Sequence, residues 1–136
     1  MNTTSPAIEW PALLQNPQAV TAIYNKTPNL EATKLIQVRL NSGGAAEICF
    51  CFQSIPDRRP RKWAKETNYV SVELRIERMV EFELKDWFPR DQMAPLTLES
   101  DPRGIRIRWQ SKDYSLSALA ESVTLTKING YLRAKP

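Results

Sequence analysis

At 136 residues, with 42% hydrophobic and 25% charged side chains, the chain fits one domain spanning 1–136 and excludes wholesale disorder. Such a length buries roughly two-thirds of the unfolded surface, and ten prolines against four glycines suit strands and rigid loops better than a helical bundle. The net charge of +4 is mild; it favours acidic partners and falls short of the signature of a dedicated nucleic-acid protein.

Residues 1–15 read as a loose, proline-bearing N-terminal arm with Ile8 and Trp10 as its anchors. The opening has no basic start and no long apolar centre, so no secretory signal is expected. No apolar run approaches the ~20 residues of a membrane helix. Asn16-Pro17 reads as a helix start, Asn as the cap and Pro at the first helical position. Ala19, Val20, Ile23 and Tyr24 follow at helical spacing, so a short helix ends near Asn25, before Pro28. Such a helix holds only when packed on a larger element.

The first strand is expected at Lys34 to Asn41, with Ile36, Val38 and Leu40 on one face and Gln37 and Arg39 on the other. Ser42-Gly43-Gly44 supplies a tight reversal into a second strand, Ala46 to Ser54. There Ile48, Phe50 and Phe52 alternate with Glu47, Cys49 and Cys51. The two thiols lie roughly 6–7 Å apart along one strand face, too far for a disulfide, and read as reduced thiols of a cytosolic protein.

A proline-bearing loop from Pro56 to Asn68 carries Arg58, Arg59, Arg61, Lys62 and Lys65 around Trp63. Arg and Trp are frequent binding hot spots, so these six residues form the first candidate partner-binding patch. The competing reading makes Trp63 a lid folded back on the core.

The dominant stretch is Tyr69 to Asp86. Val70, Val72, Leu74 and Ile76 alternate with Ser71, Glu73, Arg75 and Glu77, and the same phase returns at Val80, Phe82 and Leu84. A period of two is a strand wetted on one side. The interruption at Arg78-Met79 predicts a bulge in one bent strand or a corner between two strands. The charged face, through Glu73, Arg75 and Glu77, completes the candidate contact surface.

Trp87-Phe88-Pro89 ends that strand, with the two aromatics read as a core plug. Leu96 and Leu98 mark a short strand, Asp101-Pro102-Arg103-Gly104 a turn, and Ile105, Ile107 and Trp109 alternate with the outward Arg106 and Arg108. Tyr114 to Leu116 and Val123 to Ile128 read as the last two strands, with Ala118 to Glu121 undecided between them. The expected fold is therefore mainly β (α+β): a strongly twisted or two-layered antiparallel sheet of about seven to eight strands, carrying one short N-terminal helix.

The chemistry of bond-making is thin. With no histidine, no Ser/His or Cys/His nucleophile pair can form, and two cysteines alone do not make a zinc site. Gly43-Gly44 lacks the later glycine and the helix of a phosphate-cradling loop. Glu73/Glu77 and Glu81/Glu83 are same-face carboxylate pairs, but they alternate with Arg75 and Lys85 on a solvated surface. The reading is a non-enzyme with no cofactor and no metal.

The order of parts, an Asn-Pro helix start, Pro28-x-Leu30, a hairpin, Pro60-x-x-Trp63, V-x-V-x-L-x-I-x-x-M-V-x-F-E-L, and Ile128-x-Gly130-Tyr131, resembles the immunity protein 50 family of bacterial polymorphic toxin systems. The resemblance runs from Asn16 to Leu132. Many members carry a His-Asp pair after the Pro-x-aromatic step; Leu30-Glu31-Ala32 stands here, and no role transfers to that position. The resemblance implies a cytosolic antidote that binds and blocks a cognate toxin without catalysis or cofactor. A positive inhibitor fits a toxin that is acidic or has an acidic contact patch. The runner-up is a basic β-domain that grips single-stranded nucleic acid with the Arg58–Lys65 loop, Trp63 serving as stacking platform. A third reading is a homo-oligomer joined through an exposed strand edge.

Overall fold

A computed structural model describes residues 9–86 and 92–132. Its regular elements are a 3-10 turn, Trp10–Leu13, one short helix, α1 (Gln18–Thr21), and seven strands. The strands are β1 (Thr33–Asn41), β2 (Ala45–Phe52), β3 (Tyr69–Lys85), β4 (Met93–Ala94), β5 (Leu96–Asp101), β6 (Gly104–Gln110) and β7 (Ser115–Tyr131). They form one antiparallel sheet in the order β4-β1-β2-β3-β7-β6-β5, the mainly β fold that the alternating pattern requires.

The long ladder between β3 and β7 is the frame. The first half of β3 pairs with β2 on one side and with the second half of β7 on the other; its second half pairs only with the first half of β7, which β6 flanks. The interruption read at Arg78-Met79 is a bulge between Met79 and Glu81 in one continuous strand, and Arg78 takes a positive φ of 55° there. That extra residue returns Phe82 and Leu84 to the inner phase held by Leu74 and Ile76. At the other end of the chain, the two expected last strands are a single 17-residue strand, β7, whose undecided centre is filled by the buried Ala118, Leu119 and Ala120.

The hairpin of β1 and β2 turns at Ser42–Gly44, where Gly43 and Gly44 have φ of 88° and 83°. One expectation needs correction. Val38 and Leu40 share a face, opposite Ile48 and Ala46, but Ile36 does not join them, because a bulge between Leu35 and Gln37 shifts the register. Leu35 opposes Phe50 inside, while Ile36 and Leu40 are exposed. In β2 the expected faces hold, with Ile48, Phe50 and Phe52 buried in the core.

The two ends of the strand order, β4 and β5, are separated in the chain by Pro95 alone, so the sheet curls around its core. A buried polar knot fastens the curl. The Trp109 indole of β6 donates to the Thr33 carbonyl at 3.2 Å and to its hydroxyl at 3.1 Å, and that hydroxyl donates to Ala94 O at 2.8 Å. Gly104 is required where β6 begins: its φ is 147°, and a Cβ there would stand 2.2 Å from the Ala120 carbonyl oxygen.

The helix is shorter than its spacing suggests, and Asn16 does not cap it. Pro17 is the capping residue, without any side-chain bond, and the Asn16 amide instead pairs with β7. Val20, Tyr24, Trp10 and Leu14 seat this N-terminal region on the core, the Trp10 indole donating to Pro28 O at 3.0 Å. Trp87 and Phe88, read as a core plug, lie outside the described residues.

Candidate functional site

The basic loop between β2 and β3 divides into residues that hold it and residues that face water. Helix ends leave carbonyls without partners, and a cation there is favourable. Arg58 fills that role for α1: its Nε donates to Ala22 O at 2.7 Å, its Nη2 to Thr21 O at 3.2 Å, and its Nη1 to the Asn25 side chain. Asn25 N in turn donates to Asp57 Oδ2 at 2.7 Å. Arg59 closes the loop on itself, Nη1 to Lys65 O at 2.7 Å.

Trp63 is buried, its ring lying so close over Gly130 that a Cβ on that glycine would stand 2.4 Å from it. Its indole N–H has no hydrogen-bond partner among the described residues. The lid reading is therefore the one the geometry carries, and the nucleic-acid reading is left without its stacking ring. Arg61, Lys62 and Lys65 remain exposed on the loop. Arg58 and Arg59 are exposed as well, but their guanidinium groups are engaged in the bonds that hold the loop.

The charged face of β3 is a lattice rather than a row of unattached charges. Register places Gln37, Cys49, Glu73 and Lys127 in one line across four strands, and Arg39, Glu47, Arg75 and Thr124 in the next. Glu73 is buried. It accepts from Thr126 Oγ1 at 2.8 Å, from Arg39 Nη2 at 3.1 Å and from Cys49 Sγ at 3.6 Å. Burial pushes its carboxyl up, but the Thr126 hydroxyl, the Lys127 charge, the Cys49 thiol and Arg39 together bring it below the ordinary carboxylate range. Burial, then the neighbouring carboxylate, pushes the Cys49 thiol the other way, towards an unreactive neutral form. Arg75 pairs with Glu47 at 3.4 Å and with Glu77 at 3.5 Å. Arg75 and Glu77 are accessible; Glu73 is a support beneath them.

The second carboxylate pair is also committed to cations. Glu81 takes Arg106 at 2.8 Å and Arg103 at 3.4 Å, and these side chains roof the buried Leu119 from outside. The Arg106 hydrogen bond holds the Glu81 carboxyl below its usual range, so it stays ionised near neutrality and has no proton to give. Glu83 pairs with Lys85 at 3.3 Å. Among the described residues no group of three or more Cys, Asp or Glu side chains is placed to hold a metal, and no helix is long and apolar enough to cross a membrane.

What spacing alone missed is the company that Glu73 keeps. Arg39, Cys49, Thr126 and Lys127 come from three other strands, and only the registers of the β1/β2, β2/β3 and β3/β7 pairings together make them neighbours. Hairpin alternation pointed Arg39 and Cys49 to the outer face, but nothing local pointed to Thr126.

Comparison with known proteins gives one positive result. No curated protein and no solved structure matches the chain. The family model described as Immunity protein 50 matches residues 16–131, which takes in α1, all seven strands and the basic loop. The chain belongs to the Immunity protein 50 family.

Proposed function

We propose that this chain is a non-catalytic cytosolic antidote that binds a cognate bacterial toxin and blocks it by protein–protein contact. Family membership over residues 16–131 is the observation that carries the reading. The side-chain chemistry is compatible with it, since the carboxylates of β3 are tied into ion pairs and hydrogen bonds rather than poised for proton transfer. The contact surface is made of the exposed loop residues Arg61, Lys62 and Lys65, together with Arg75 and Glu77 of the outer face. Arg58, Arg59, Trp63 and Glu73 hold that surface in shape. Its three loop cations select a toxin with an acidic patch, because charge complementarity speeds capture and discriminates partners.

The test uses the product of the gene adjacent to this chain's as the candidate toxin domain. Co-expression protects cells from it, and the purified pair binds with an affinity that falls as salt rises. Replacing Arg61, Lys62 and Lys65 together by Ala slows association by about tenfold or more with little change in thermal stability. A wild-type chain that neither binds nor protects overturns the reading.

A further inference from the structure

A sheet that does not close by hydrogen bonds must dispose of its strand edges, because unpaired backbone N–H and C=O groups invite a further strand. Most of the edges are covered or guarded. The second half of β7 meets Gln15 and Asn16, with Gln15 N donating to Val123 O at 2.8 Å and the Asn16 amide exchanging bonds of 2.8 and 3.0 Å with Leu125. On β5, Leu96 N donates to Leu30 O at 2.9 Å and the 3-10 turn packs alongside. The second half of β3 carries Glu81, Glu83 and Lys85 at alternate positions and begins with a bulge.

β1 is different. β4 pairs only with Thr33 and Lys34, so the remainder, residues 35–41, has no partner strand on that side among the described residues. Leu40 on this edge is 60% exposed; Ile36, at the bulge before it, is 46% exposed, and Met93, opposite Lys34 where β4 pairs, 44%. Leu40 is the one of the three that lies on the run without a partner strand, and Val38, half-buried, stands beside it on the same face.

We infer that the 37–41 edge of β1 accepts an extended, acidic segment of the toxin as an added strand. This rests on the reading of the chain as a toxin-binding protein and names the place where the backbone of that partner would lie. The regular run past the bulge is residues 37–41, QVRLN. An added strand sets aliphatic side chains against Val38 and Leu40 on one face and a carboxylate against Arg39 on the other. Arg39 is half exposed, with one guanidinium nitrogen on Glu73, and the same outer face continues through Glu47 to Arg75. The edge therefore adjoins the charged surface assigned above. A second copy fits less well. Antiparallel self-pairing over so short a run sets the two Arg39 side chains near each other, and the added strand alone falls below the ~1,200 Å² typical of a stable interface.

The test is calorimetric titration of the neighbouring toxin domain into wild-type chain and into Leu40→Ala, Leu40→Lys and Leu40→Glu, with Leu132→Glu as control. Leu132 is equally exposed, at 61%, but stands beyond the far end of β7. Leu40→Glu is expected to weaken binding about thirtyfold or more, Leu40→Lys several-fold less, and Leu132→Glu not at all, with melting temperatures unchanged. Binding by Leu40→Glu within about threefold of wild type would overturn the edge assignment while leaving the antidote reading intact. Equal losses for the Lys and Glu variants would overturn the acidic character of the strand. Sedimentation of the wild-type chain alone as a dimer that Leu40→Glu dissolves would hand the edge to a second copy. Failure of wild type to bind would remove the reading beneath.

Discussion

Glu73 has been taken from the surface that its alternation assigned to it and made a structural group. Its carboxylate lies under the side chains of Arg39 and Lys127, and a threonine hydroxyl points at it from β7. Because its folded-state carboxyl lies below the ordinary range, the unfolded chain binds more protons at mildly acid pH. Its stabilising contribution is therefore present near neutrality and is lost as pH falls through the range in which the folded carboxylate protonates. Glu73→Gln should cost about 1.5–3 kcal/mol at pH 7, the usual worth of hydrogen bonds to a charged group. The gap between variant and wild type should narrow steadily towards pH 3 in urea melts. A difference that stays constant with pH would mean that shape, and not charge, matters at this position.

Among the elements, alternation was a good guide where both faces of a strand keep their phase and a poor one where the chain inserts a residue. The bulge in β3 announced itself, since Arg78 sits where an apolar residue was due. The bulge in β1 did not, because Ile36 continues an apolar phase that the register breaks. Lone tertiary contacts were equally silent: the basic loop reads as a patch until Arg58 is seen to cap α1 and Trp63 to lie on Gly130. Asn16 is the sharpest case. The residue fits a helix cap by type and position, yet its amide completes the edge of β7, giving one bond to Leu125 O and taking one from Leu125 N. Asn16→Ala should therefore cost about 1–3 kcal/mol, since two backbone groups lose their partner together. Hydrogen exchange at the Leu125 amide would accelerate more than exchange within α1. The reverse order would restore the capping role.

At the scale of the molecule, the connections that matter join residues far apart in sequence. Asn16 meets Leu125, Leu30 meets Leu96, Thr33 meets Trp109, and the whole of β3 meets the whole of β7. Removing the residues after β3 would strip its ladder, and removing those before β1 would uncover the edges of β5 and β7. We therefore expect a single cooperative unit, and slow folding, since long-range pairing must be reached before it is rewarded. The indoles give a direct check. Trp10 lies in the 3-10 turn, Trp63 over the end of β7 and Trp109 in the central knot. Their fluorescence and the far-ultraviolet signal of the sheet should trace the same urea transition with the same midpoint. If the β1–β2–β3 portion melted apart from the β5–β6–β7 portion, the two probes would separate. The β3/β7 ladder would then be a seam between two modules and not the spine of one.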